Sequence, residues 1–347
     1  MTMKENSQMK DKRIVPGQDW RVERFRPEDA EGVCALFRSV YGAGYPVRAY
    51  IEPDLLRAEN AAGRIISSVA RTPQGDIVGH NALFQSAPYK KIYETGAGVV
   101  HADYRGGHGI FTDMVAHGLA LGRRQPEIEL IYGESVCNHV FTQKLCHKLG
   151  FVNRALEADL MPAAAYSKEK SAAGRVSTVL GFIILQSYPH TVYLPSLYVE
   201  QLSYLYKNLE DQRVFRVADQ PLPAGLATRL KSEIFTFAGV ARIAVAEIGD
   251  DFAEVLQDEE RRLLKAGIEV FQVWLKAAGP AVGSAAAILH EEGYFLGGVL
   301  PRWFNEDGLL MQKIKGKPNW DGIQTCFASD RELVELVQAD WRRTTGR

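Results

Sequence analysis

Residues 93–109 read YETGAGVVHADYRGGHG and run without a break into IFTDMVAHGLAL at 110–121. The alternation from Ile92 to Val100 predicts a strand. Arg105, Gly106, Gly107 and Gly109 then predict a turn, and Ile110, Phe111, Met114, Val115 and Leu119 recur at helical spacing. Strand, glycine turn and helix together make a phosphate cradle. Glycines let backbone N–H groups approach an anion closely, the first turn of a helix leaves its own N–H groups unpaired, and Arg105 adds a fixed positive charge. The expected ligand is phosphorylated, and His108 inside the turn is a further candidate donor to it. The competing reading is an ordinary strand-to-helix loop with a solvated Arg105; the downstream elements favour the cradle.

Three turn chemistries compete. A Walker loop needs Lys and then Ser or Thr after its last glycine, and no Lys follows Gly109. A dinucleotide fingerprint needs GxGxxG. Gly107-His108-Gly109 supplies its first half, but Thr112 stands where the third glycine belongs. The stretch resembles instead the acyl-CoA site of the GCN5-related N-acetyltransferases (GNAT), whose pattern is a strand, then Arg/Gln-x-x-Gly-x-Gly/Ala, then a helix. YRGGHGIFTDMV is one residue longer in the turn than common versions of that pattern. The resemblance implies that Arg105, Gly106, Gly107, His108, Gly109 and Ile110 hold the CoA pyrophosphate. It also implies that the N–H groups of Val99 and Val100 pair with the pantetheine arm and polarise the thioester.

Upstream, RVERFR (21–26) predicts a first strand and Pro27 opens a helix with the apolar stripe Val33, Leu36, Phe37 and Val40. A Tyr-rich stretch from Tyr41 to Tyr50 leads to a second helix from Pro53, and a strand pair turns around Pro73-Gln74-Gly75-Asp76. This order is similar to the GNAT fold, and under that resemblance the Tyr41–Tyr50 loop lies over the acceptor side. Downstream come a strand at 129–136, a helix at 139–148 and the ending Leu149-Gly150-Phe151. Alignment on Gly150-Phe151 puts His139 where the family usually has Asn. Cys146 falls where the family often has the Tyr that protonates the departing thiolate. His139 and Gln143 are thereby placed on the cofactor side.

Acyl transfer from a thioester to an amine passes through a tetrahedral oxyanion, and the amine must lose a proton. Glu94, on the cradle strand where many GNAT enzymes keep a Glu, and Glu134, on the next strand, are the candidate bases; Cys146 is the candidate acid. Each has a plain structural alternative. Glu94 could be a solvent-facing strand residue and Cys146 a small buried hydrophobe. His80, His101 and His117 are too scattered for a metal site.

The second half repeats the first. Gly293-Tyr294 ends a helix at 282–292 as Gly150-Phe151 ends one, an offset of 143 residues. That offset carries the strand 129–136 onto 272–279 and the cradle helix onto 253–265. The loop at the cradle position reads AEIGDDF. It lacks the Arg and two glycines, and Asp250 and Asp251 are expected to cap the helix. Between the halves Val179–Gln186 predicts a strand, and a Pro195-initiated helix follows, with Tyr198, Tyr204 and Tyr206 packing between domains. A tail helix from Ser329 to Arg342 is capped by Ser329 or Asp330.

The expected fold class is therefore α/β (α+β): two GNAT-like domains, each a mixed, largely antiparallel sheet flanked by helices. Boundaries are set at 1–18 for a polar leader, 19–162 for the catalytic domain, 163–178 for a linker and 179–347 for the degenerate domain. At 347 residues two domains fit, and a net charge of −1 leaves no electrostatic footprint for nucleic acid. Four dispersed cysteines fit a reducing cytoplasm, and no apolar run is long enough for a membrane span. The expected activity is acetyl-CoA-dependent N-acetylation of a small-molecule or peptide amine, without metal, nucleic acid or membrane. The alternatives are a non-catalytic acyl-CoA-binding module and an aminoacyl-tRNA-dependent transferase. A homodimer is compatible with the sequence, which is silent on oligomeric state.

Overall fold

The computed structural model describes residues 14–42, 45–107, 109–166 and 172–346. Two compact units divide the chain: one holds residues up to Gln85 together with Glu94–Pro126, the other Ser86–Tyr93 together with the chain from Glu127 onward.

The first unit contains β1 (Arg21–Arg24), α1 (Ala30–Tyr41), α2 (Pro53–Ala61), β2 (Ile65–Arg71), β3 (Ile77–Phe84), all of β4 (Ile92–Val100) from Glu94 on, and α3 (Ile110–Gly122). Its strands run β1-β2-β3-β4 in space, antiparallel throughout. The predicted α1 stripe is real: Val33, Leu36 and Phe37 are buried with Leu56 of α2 against Ile65, Val69 and Ile77 of the sheet. On the other face α3 buries Ile110 and Met114 against Ala70 and Val78.

The second unit contains β5 (Leu130–Val136), α4 (Phe141–Lys148), β6 (Val152–Met161), β7 (Val176–Ile184), β8 (His190–Leu194), α5 (Val199–Tyr206), β9 (Arg213–Val217), β10 (Arg229–Phe235), β11 (Val240–Glu247), α6 (Phe252–Lys265), β12 (Val270–Lys276), α7 (Val282–Glu291), β13 (Phe295–Leu300), β14 (Gly308–Ile314) and α8 (Ala328–Thr345). Its main sheet is ordered β5-β7-β6-β13-β14-β12-β11-β10. Every neighbouring pair given a register is antiparallel except β11–β12, and β8–β9 form a separate parallel pair.

The order repeats about a seam. Reading outward from the antiparallel β6–β13 contact at Ala155 and Gly298, one side runs β6-β7-β5 and the other β13-β14-β12. The elements expected at the 143-residue offset lie within three residues of their predicted bounds: α6, β12 and α7. The strand expected at 179–186 between the halves is β7, and it belongs inside the first group, inserted between β5 and β6. Tyr198 and Tyr206, expected to pack between domains, are buried in the main core of this unit with Leu202 and Leu205. Asp330 does not cap α8, whose N-cap is Phe327; its carboxylate accepts from the Asn153 amide at 3.0 Å. Among the described residues no helix is long and apolar enough to cross a membrane.

Candidate acyl-CoA cradle and acceptor-side residues

β4 reaches the glycine turn through an irregularity. Its register against β3 pairs Glu94 with Phe84 and Gly96 with Ala82, then Val99 with His80, so Ala97 and Gly98 together face the single residue Asn81. This is a β-bulge, with Ala97 at φ +50°. His80, fully buried, holds it: Nδ1 donates to the Ala97 carbonyl at 3.0 Å, and Nε2 accepts from the Ser67 hydroxyl at 3.0 Å. Ser67 is fixed in turn by Asn60 of α2, whose Oδ1 accepts from the Ser67 N–H at 3.0 Å. In the sequence His80 is one of several scattered histidines, because its partner carbonyl exists only once β4 bulges.

Burial pushes the His80 imidazole down to about 4. Between pH 6.5 and 4 the unfolded chain therefore binds a proton that the folded unit refuses, and stability falls as the pH falls. His80 contributes on the order of 3 kcal/mol to that loss. In His80→Leu this acid sensitivity flattens while the orphaned Ala97 carbonyl costs about 1–3 kcal/mol at pH 7. Melting temperatures across pH 4 to 7.5 check both; equal acid slopes in variant and wild type would remove His80 from the account.

The bulge also settles which amides point outward. His101 N–H donates to Val78 O at 2.9 Å. By the alternation of an antiparallel ladder, Val99 and His80 then form a bonded pair and the Val100 N–H turns away from β3. Of the two expected donors, Val99 is engaged in the sheet and Val100 is turned outward.

Beyond β4 a short 3-10 turn, Ala102–Tyr104, is pinned from below: buried Tyr104 donates its hydroxyl to Val15 O at 2.7 Å. Arg105 Nε donates to Val100 O at 3.0 Å, which sets the guanidinium beside the turn. Gly106, Gly107 and Gly109 have φ of 92°, 105° and 76°, a region L side chains rarely enter. Among the described residues a Cβ at Gly106 or Gly107 would meet nothing within 4 Å, so the backbone and not crowding demands glycine, and the space beside the turn is open. Gly109 is the N-cap of α3 and among the described residues no side chain caps the helix, which leaves its first-turn amides without a capping acceptor there. Gly98 lets α3 close on β4, since a Cβ there would overlap the Phe111 ring. One feature works against an anion: Asp113 lies in the first turn. Left-handed glycines, an uncapped helix start and Arg105, with open space beside the turn, are a donor set that fits a pyrophosphate. His108 lies outside the described residues.

Glu94 is half-buried and shares the α1 face of the sheet with its partner Phe84. The remaining candidates fall in the second unit. Glu134 is not a solitary base: its Oε1 accepts from Arg242 Nη2 at 2.7 Å, and the same nitrogen lies 3.1 Å from both carboxylate oxygens of Glu157. Arg242, 108 residues away on β11, carries no local signal in the sequence. Glu157 is 1% exposed, and burial pushes its carboxyl up to about 7. Cys146 Sγ accepts from the Ser135 hydroxyl at 3.4 Å, and burial raises its pKa, which keeps the thiol protonated at neutral pH. His139 packs its ring 5.5 Å from Phe141, and burial lowers its pKa. Gln143 does not line an open site. It is wholly buried, and its Nε2 is spent on the carbonyls of Val136, His139 and Gln324. Among the described residues no group of His, Cys, Asp and Glu is arranged to hold a metal ion.

The second glycine-poor loop is closed by its own chain. Asp250 and Asp251, expected to cap α6, accept instead from Gly225 N–H and Thr228 N–H, each at 2.7 Å, and Gly249 N–H donates to Thr228 Oγ1. A Cβ at Gly249 would overlap the Leu226 carbonyl. Segment 225–228 thus lies against the position that the cradle leaves open in the first unit.

No family model matches the sequence, and no curated protein matches it. Among solved structures, an N-acetyltransferase from Staphylococcus aureus Mu50 is similar at 12% identity and TM-score 0.38, over 48% of this chain and 99% of that one. The ribosomal-protein-S5-alanine acetyltransferase from Vibrio fischeri is similar at 13% and 0.39, over 51% and 100%. A GNAT superfamily phosphinothricin acetyltransferase from Sinorhizobium meliloti, solved with acetyl-CoA, is similar at 16% and 0.36, over 48% and 88%. Each match spans about half of this chain.

Proposed function

We propose that the chain is an acyl-CoA-dependent N-acyltransferase, with acetyl-CoA as donor and the amine of a small molecule or peptide as acceptor. The observation that carries this reading is the bulged β4 ending in a turn of three left-handed glycines at an uncapped helix start. When bound, acyl-CoA supplies an activated thioester. The amides of Gly106, Gly107 and Gly109, with those that open α3, hold the pyrophosphate; Arg105 adds charge; the Val100 N–H orients the pantetheine arm. Glu94 takes the proton that the amine must lose, directly or through a water. The repeated strand order supports two GNAT-like repeats, the first extending through β7 to Ile184, and the tied Asp250–Asp251 loop supports a second repeat without a CoA site.

Thermal unfolding with and without acetyl-CoA tests the reading. A ligand at about 100 times its dissociation constant stabilises the folded state by about 2.7 kcal/mol, a shift of several degrees. Absence of any shift at millimolar acetyl-CoA would reduce the cradle to a plain turn and remove the transferase reading with it.

A further inference from the structure

On the α1 face of the first unit one end of the core is built of rings. Phe37 stacks on Tyr50 with centroids 4.7 Å apart and lies 5.0 Å from Tyr45, which stacks on Tyr41 at 5.0 Å. Exposure is graded along the series: Tyr41 is 49% exposed, Tyr45 partly buried and Tyr50 3% exposed. Among the described residues the hydroxyl of Tyr50 has no hydrogen-bond partner, which a buried phenol seldom tolerates unless something else supplies one. Glu94 faces the same side of the sheet; burial above all raises the pKa of Tyr45 and Tyr50, and a neighbouring phenol and then the Glu94 charge add to it, so carboxylate and phenols share one field. Glycine at 96 keeps room for that carboxylate, since a Cβ there would lie 3.2 Å from Glu94 Oε1 and 3.1 Å from the Phe84 ring.

We propose that Glu94 and the Tyr41–Tyr45–Tyr50 edge bind a protonated aliphatic amine. The ammonium pairs with the Glu94 carboxylate and the unfilled Tyr50 hydroxyl, and the alkyl chain lies along the rings of Tyr45 and Tyr41. Aromatic faces and a partly desolvated carboxylate both attract a cation, whereas they repel an anionic acceptor, and a neutral acceptor brings no charge to meet the carboxylate. The inference rests on the transferase reading for its biological meaning, because it names the acceptor class; the binding itself does not require acyl-CoA.

Calorimetric titration of the full chain at pH 7 with n-butylamine, which is charged there, and with isosteric n-butanol tests it. The expected result is at least tenfold tighter binding of butylammonium. Tyr41→Ala and Tyr45→Leu each weaken that binding at least fivefold, and Glu94→Gln abolishes the preference over butanol. Tyr41 is exposed and Glu94→Gln is isosteric, so both remain informative if Tyr45→Leu fails to fold. No binding, equal binding of butanol, or an unchanged preference in Glu94→Gln overturns the inference. The acetyl-CoA melting shift on the same samples separates the two failures. If the shift persists while the amine preference is absent, only the acceptor class falls; if the preference is present without the shift, the transferase reading falls and the cation site stands.

Discussion

Gly107→Glu abolishes the stabilisation that acetyl-CoA gives the wild-type protein. Two effects act in the same direction. At φ 105° the new side chain strains the turn at a cost of about 1–3 kcal/mol, and relaxation of that strain moves the amides out of their converging geometry. The carboxylate then enters the open space beside the turn that a Cβ at Gly107 would meet. A unit charge about 4 Å from each phosphate costs about 1 kcal/mol in bulk water and about 4 kcal/mol at the effective dielectric of a protein surface. Together these exceed the about 2.7 kcal/mol that corresponds to a hundredfold excess over the dissociation constant, so the ligand-induced shift disappears at any practical acetyl-CoA concentration. Gly107→Asn separates the two effects. Asparagine tolerates positive φ better than other residues and brings no charge, so it weakens binding by about tenfold and keeps a measurable shift. Retention of the full shift in Gly107→Glu would place the pyrophosphate elsewhere.

Much of the cradle is legible in the sequence because it is local. Strand alternation, glycine placement and helical period all fall between Ile92 and Leu119, and each comes from backbone sterics or burial that a short window reveals. The repeat is legible for the same reason, since matching helix ends at Gly150 and Gly293 set one offset for three elements. What the sequence conceals is nonlocal. Insertion of β7 between β5 and β6 comes from strand pairing, and an antiparallel strand reads the same wherever it docks. Gln143 has the residue type of a ligand contact, but its Nε2 donates to the carbonyl of Gln324, 181 residues away. Asp250 and Asp251 stand where caps belong, yet their carboxylates serve the 225–228 backbone instead. The tyrosines from Tyr41 to Tyr50 give a loop composition; only the ring geometry and the unpaired Tyr50 hydroxyl give it a chemical preference.

The Glu134–Arg242–Glu157 cluster shows most sharply what nonlocal pairing adds, and Arg242→Met carries the largest expected stability effect. Arg242 is 11% exposed at its side chain, and besides the two carboxylates its Nε donates to Gln272 Oε1 at 3.0 Å. Its guanidinium also lies 5.4 Å from the ring centroids of Phe235 and Trp274. Methionine preserves much of that apolar packing, so the loss isolates the charge. Removal of one partner from a buried ion pair costs about 3–5 kcal/mol, because the other charge stays buried without compensation. For a unit of this size that lowers the melting temperature on the order of 10 °C. The sign with pH comes from Glu157. Its folded pKa is raised to about 7 from 4.5, so the folded unit binds a proton between those values that the unfolded chain has released, and stability contributed by the group falls as pH rises through that window. Without Arg242, which lowers it, the folded pKa rises further. The penalty of Arg242→Met is therefore greatest at pH 8 and shrinks toward pH 5, where Glu157 is a neutral acid. Adding Glu157→Gln to Arg242→Met restores a large part of the loss at pH 8, because the buried charge is gone. Melting curves at the two pH values for the single and double variants decide the matter. A pH-independent loss below about 1 kcal/mol would mean that the guanidinium is a spectator and that Glu134 is held by something other than this pair.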